Sequence, residues 1–148
     1  MKNKIVIYIH WPFCDTKCPY CDFNSHVTEN IDHAKWQKSL LKELAHYAAE
    51  TADRVVTSLY FGGGTPSLMK ANTVAAVIDA TEKTWGFSRK PEITLEANPS
   101  STETGLLKDY FYAGINRVSL GIQSLNQESL AFLGRSHTVY EAKQALDF

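Results

Sequence analysis

The segment Ile5-Val-Ile-Tyr-Ile-His-Trp-Pro-Phe-Cys14-Asp-Thr-Lys-Cys18-Pro-Tyr-Cys21 decides how this chain is read. Its opening residues are β-branched or aromatic and predict a buried strand over 5–9. The strand runs into a loop holding Cys14, Cys18 and Cys21, the only three cysteines of the chain, spaced C-x3-C-x2-C. A strand that empties into a loop of soft ligands is the first half of a βα unit with chemistry at its mouth.

The pattern repeats outward from there. Trp36, Leu40, Leu44 and Tyr47 recur at helical spacing and predict a helix over 34–50, with Asp32 as its cap. A second strand, 55–61, closes on Gly62-Gly63-Gly64-Thr65-Pro66, and a helix near 73–85 stops at Gly86. A third strand, 92–97, ends at Asn98-Pro99. The helix after it carries Leu106, Leu107, Tyr110 and Phe111, with Ser100 and Glu103 at capping-box spacing ahead and Gly114 behind. The fourth strand, 117–122, is followed by a short helix over 127–133. A last helix, capped by Thr138 and Glu141, is expected to be still running at Phe148.

Repeated βα units imply a parallel sheet with helices outside, as in barrels or doubly wound folds. Ligands then gather at the C-terminal ends of the strands. The cysteine loop, the glycines, Glu96 and Gln123 all fall there. Four strands are too few to close a barrel, so residues 1–148 are expected to form one incomplete domain, the beginning of a longer protein.

Composition narrows the setting. The 148 residues are 44% apolar and 21% charged, enough for one hydrophobic core. Fifteen basic and sixteen acidic residues are scattered and give a net charge of −1. No basic stripe points to nucleic acid and no charge block to a disordered tail. No apolar run approaches the ~20 residues of a membrane span. Lys2 and Lys4 precede only five apolar residues, broken by His10-Trp11-Pro12, which does not make a signal peptide. Clustered cysteines without partners elsewhere fit a reducing compartment, and the expected location is cytoplasmic.

Three close thiolates can hold three corners of a cubane iron–sulfur cluster, whereas four fill its coordination. The fourth iron is then open to a ligand. That is what radical S-adenosylmethionine (SAM) chemistry needs, because the amino and carboxylate groups of SAM chelate it before the sulfonium is cleaved. The alternative is zinc, with His26 or His10 completing the set. Structural zinc sites usually join two ligand pairs from separate segments, and only one compact cluster is present.

Gly62-Gly63-Gly64-Thr65-Pro66 is either a tight turn or a place where backbone passes close to a ligand. It has neither the Walker lysine nor the dinucleotide glycine spacing. Glu96 lies in an apolar strand on the face of Thr94 and needs a partner. An ammonium group, a ribose diol or Arg117 would serve. Gln123 offers hydrogen bonds at the same rim. The histidines at 26, 33, 46 and 137 show no ligand spacing and read as solvated or capping.

Four stretches in order now resemble one family. They are Tyr8-Ile-His-Trp-Pro-Phe-Cys14 with the cysteine run to His26, Phe61-Gly-Gly-Gly-Thr-Pro-Ser67, Leu95-Glu-Ala-Asn-Pro99 and Asn116-Arg-Val-Ser-Leu-Gly-Ile-Gln-Ser124. The chain is similar to radical SAM proteins of the oxygen-independent coproporphyrinogen III oxidase-like group, and within it to the haem-chaperone (HemW-type) branch. The resemblance implies an α/β fold, the N-terminal part of a partial (β/α)6 TIM-like barrel, with the later strands and a C-terminal HemN-type domain lying beyond this chain. It implies a [4Fe–4S] cluster with one open iron on Cys14, Cys18 and Cys21. It also implies SAM contacts at Tyr8, Tyr20, Gly63, Gly64, Thr65, Glu96, Gln123 and Arg135. Some of these positions belong to a second SAM in true oxidases.

Those oxidases carry a further cysteine two residues past the third ligand, where this chain has Phe23 in Asp22-Phe23-Asn24-Ser25-His26. That departure speaks against coproporphyrinogen decarboxylation. The implied partners are SAM, haem or another tetrapyrrole, a haem-acceptor protein, and an electron donor such as a flavodoxin or ferredoxin. Nucleic acid is not among them, and membrane contact comes only through an acceptor.

Overall fold

The computed structural model describes residues 3–101 and 104–147. The elements are β1 (Lys4–Trp11), α1 (His33–Thr51), β2 (Val55–Gly63), α2 (Ala71–Trp85), β3 (Phe87–Ala97), α3 (Thr104–Ala113), β4 (Arg117–Leu120), α4 (Gln127–Phe132) and α5 (Val139–Gln144). The strands form one sheet in the order β1-β2-β3-β4, and every pairing is parallel. Each strand adds beside the previous one with no reversal. That is the progression of a barrel and not of a doubly wound sheet, in which the order turns back.

Alternation along the strands sorts side chains to two faces. Ile9, Leu59, Phe61, Ile93 and Leu95 point beneath the helices and, with Val74, Val77, Trp85 and Tyr110, form the core. The opposite face carries Tyr8, Tyr60, Thr94 and Arg117, matched across the ladders as Tyr8↔Tyr60, Tyr60↔Thr94 and Thr94↔Arg117. Among the described residues no helix covers the β1 end of this face, and Val6 and Tyr8 are 71% and 57% exposed.

Two polar anchors sit at the helix layer. Trp85 donates its indole N–H to Thr51 Oγ1 at 3.0 Å. The buried Tyr110 hydroxyl lies 2.5 Å from Ser67 O and 2.7 Å from Met69 O, which holds the turn after the glycine loop against α3. Burial pushes that phenol up to about 12.

The expected elements are present with shifted ends. α5 stops at Gln144 rather than running to Phe148. Its end tightens as Ala145, Leu146 and Asp147 donate to Glu141, Lys143 and Gln144. Phe148 and Glu103, half of the capping box expected before α3, lie outside the described residues. The capping box of Thr138 and Glu141 forms in full. His137 is not a surface histidine: it is 1% exposed and bonds Ile122 O at 3.1 Å through Nε2. Among the described residues, no helix is long and apolar enough to cross a membrane.

Candidate functional site

The cysteine loop is shaped by its neighbours. Phe13–Cys14 forms a short parallel ladder with His26–Val27, and His26 N–H donates to Pro12 O at 2.7 Å, which closes the loop at its base. Cys21 N–H donates to Cys18 O at 3.0 Å, a turn that keeps the last two cysteines together. The glycine loop is fastened to the same base: Gly64 N–H donates to Trp11 O and Thr65 N–H to Phe13 O, both at 2.7 Å.

Glycine is required at this junction. Gly63 has φ +120, and a Cβ there would lie 2.6 Å from Trp11 O. A Cβ on Gly64 would lie 2.6 Å from Phe13 O and 2.9 Å from Cys14 Sγ. The triplet is therefore a close approach of backbone to the cysteine loop and more than a turn.

Cys14, Cys18 and Cys21 are free thiols that line one cavity of about 300 Å³. The same cavity is lined by Tyr20, Gly63, Gly64, Thr65, Glu96, Gln123 and Arg135. Ser25, also on its wall, is 5% exposed, and its hydroxyl has no partner among the described residues. Three thiols on the wall of one cavity, beside that hydroxyl, are a donor set that fits an iron–sulfur cluster.

Glu96 ends β3 with its carboxylate held on two sides. Tyr60 donates to Oε1 at 2.7 Å and Gly63 N–H to Oε2 at 3.2 Å. Burial, and then the Glu96 bond, raise the Tyr60 phenol, so it remains a donor. Arg117 does not pair with Glu96: it reaches Glu92 at 3.5 Å and Thr94 Oγ1 at 3.3 Å. The carboxylate lines the cavity without a cation of its own among the described contacts.

Gln123 adopts φ +67, a left-handed backbone that non-glycine residues seldom take. Ser124 N–H donating to Ile122 O at 2.8 Å and His137 bonding that same carbonyl hold it there. Arg135 reaches the cavity from the end of α4 and spans from Cys18 Sγ, 3.2 Å away, to Asn98 Oδ1, 2.6 Å away. Asn98 in turn donates to Thr65 Oγ1 at 3.3 Å, so the cysteine loop, the β3 rim and the glycine loop are linked. Burial also raises the Tyr20 phenol, with Arg135 opposing.

Of the residues expected to contact SAM, Tyr8 alone does not line this cavity. It stacks on Tyr60 with ring centroids 6.1 Å apart, and its hydroxyl is 3.1 Å from His10 Nδ1. His10 is engaged at both nitrogens, since Nε2 is 2.9 Å from Asn24 O. Residues that sequence reasoning passed over are Tyr60, Ser25, Asn98 and Gly121. For Tyr60 a signal existed: it stands two residues before Gly62 on the face opposite Phe61.

The radical SAM superfamily matches residues 8–148. The chain is 41% identical over 140 residues to the zebrafish (Danio rerio) protein "Radical S-adenosyl methionine domain-containing protein 1, mitochondrial", covering 95% of this chain and 32% of that protein. It is 41% identical over 140 residues to "Heme chaperone HemW" of Escherichia coli K12, covering 94% of this chain and 37% of the relative. Its fold overlays the radical SAM enzyme coproporphyrinogen III oxidase (HemN) of Escherichia coli with a TM-score of 0.87 at 27% identity, covering 99% of this chain and 34% of that one. The chain thus spans about a third of the length of these proteins. With that fold, and with three thiols on one cavity at the mouth of a parallel sheet, the chain belongs to the radical SAM superfamily and forms part of its barrel-like α/β domain.

Proposed function

We propose that Cys14, Cys18 and Cys21 ligate three irons of a [4Fe–4S] cluster and leave the fourth to SAM, in a protein that binds haem and delivers it to haem proteins. Superfamily membership implies the cluster and SAM. The observation that supports the residue assignment is the single cavity shared by the three cysteines, Gly63–Thr65, Glu96 and Gln123. When bound, the cluster supplies the electron that cleaves the SAM sulfonium. The chain's own residues bind and orient the cofactors. Glu96, fixed by Tyr60 and Gly63, is the acceptor for the ammonium or a ribose hydroxyl. Tyr20 and Arg135 border the cysteines. Tyr8, outside the cavity, bears on the site through its stacking on Tyr60.

The haem role rests on the relatives named heme chaperones and on Phe23. In the resemblance, the oxidases carry cysteine at that position; here an aromatic ring, 61% exposed, lines the cavity. Haem, an acceptor protein and a flavodoxin- or ferredoxin-type donor are the partners of this reading, and the cytoplasm is its compartment. The likeness to HemN favours a second reading, coproporphyrinogen III oxidation.

The full-length protein separates the two. Haem titration followed by transfer to an apo-acceptor, with no decarboxylation of coproporphyrinogen, is the expected result. Protoporphyrinogen formed with stoichiometric SAM consumption would reject the chaperone reading.

A further inference from the structure

Ser25 follows Cys21 by four residues, and its backbone is held on both sides. Asn24 O accepts from His10 Nε2 at 2.9 Å, and His26 N–H donates to Pro12 O at 2.7 Å. The residue therefore stays at the base of the cysteine loop, where the ladder of Phe13–Cys14 on His26–Val27 brings the two ends of the loop together. Cys14, at the same base, is the most deeply buried of the three cysteines.

The Ser25 side chain lines the cavity with the three thiols, and Oγ is buried with no partner among the described residues. A buried hydroxyl left unpaired costs free energy that an alanine of nearly the same shape would not. Such a group on a cavity wall points to an acceptor that occupies the cavity. A hydroxyl has one hydrogen to donate. The sulfurs of a cluster accept hydrogen bonds and have none to give, so the match runs one way. Glu96 and Gln123 reach the cavity from β3 and from beyond β4, whereas Ser25 belongs to the cysteine loop itself. That places its hydroxyl beside whatever the cysteines hold.

We infer that the Ser25 hydroxyl is a hydrogen-bond donor to a sulfur of the cluster and raises the cluster's reduction potential. The inference rests on the assignment of Cys14, Cys18 and Cys21 to a cluster. Reduction adds negative charge that the sulfurs share, and a donor aimed at sulfur stabilises that state more than the oxidised one. Burial strengthens the effect, because water is kept from competing for the same hydrogen bond. The fixed backbone on either side means that the donor is in place before the cluster is loaded.

The test is redox titration of the reconstituted full-length protein without SAM, with resonance Raman spectra of its iron–sulfur stretches in H2O and D2O. Ser25→Ala is expected to lower the reduced-to-oxidised ratio at a fixed potential about fivefold, which for one electron is ~40 mV. The deuterium shift of the stretches should shrink as well, because the exchangeable hydrogen on Oγ is gone. In cluster-free protein the same variant should keep the parental denaturant midpoint or exceed it, since no bond is lost there. A lower midpoint makes the hydroxyl structural and overturns the inference. An unchanged potential or an unchanged isotope shift overturns it too, whether a trapped water takes the hydrogen or only SAM binding weakens. Parent protein that takes up no cluster overturns the cysteine assignment itself.

Discussion

Tyr60 on β2 and Glu96 at the end of β3 are joined by a 2.7 Å hydrogen bond, with the phenol donating to the carboxylate across neighbouring strands. The bond fixes one carboxylate oxygen, while Gly63 N–H engages the other at 3.2 Å. A carboxylate so held needs little reorganisation to accept from a ligand. Glu96→Ala is expected to weaken SAM binding by about 10- to 100-fold, the equivalent of a charged hydrogen bond of roughly 1.5–3 kcal/mol. Tyr60→Phe, which leaves the charge in place, should cost only about threefold, or roughly 0.7 kcal/mol. Calorimetric titration with SAM measures both. Equal affinities for the parent and Glu96→Ala would remove Glu96 from the site.

The glycine loop makes a sharper demand. An alanine methyl at position 64 would press into Phe13 O and Cys14 Sγ, and the first of these is backbone that cannot swing aside. Gly64→Ala should fold, because the clash is confined to the rim, and should take up well under half of the parental iron. Iron and sulfide content after anaerobic reconstitution is the readout. Full loading would show that the rim yields more easily than the close approach implies.

His137 sets an acid limit on stability. Burial lowers its pKa below the usual 6.5, and the neutral ring with hydrogen on Nε2 is the form that satisfies Ile122 O. Charging Nδ1 would bury an N–H without a partner. The native state therefore binds a proton less readily than the unfolded chain. The contribution is present above pH ~6.5 and is lost as the pH falls through the lower native value. Denaturant midpoints between pH 7.5 and 5 should fall less in His137→Gln than in the parent. Some dependence will persist, because burial also lowers His33.

Much of this was legible in the sequence for definable reasons. β-branched runs and three-four spacing located the strands and helices, and the loops that follow strands collected the chemistry at one rim. Cys14, Cys18, Cys21, Gly63, Glu96, Gln123 and Arg135 reach one cavity because parallel strands all end on the same side. Tyr8 does not: it shares the face of Tyr60 and Thr94 and stands level with them, two residues short of the rim that Glu96 occupies. The burial of His137 left no local trace. It sits in a Ser-His-Thr turn without periodicity, and the loop at Ile122 covers it only in the folded chain. The reach of Arg135 is illegible for the same reason: Cys18 lies 117 residues away from it.

The most direct test of the central claim is electron paramagnetic resonance of the anaerobically reconstituted, dithionite-reduced protein, recorded with and without SAM. About four irons per chain and a [4Fe–4S]⁺ signal that shifts when SAM is added are the expected result. Zinc without iron in protein kept from oxygen, or a cluster signal indifferent to SAM, would contradict it.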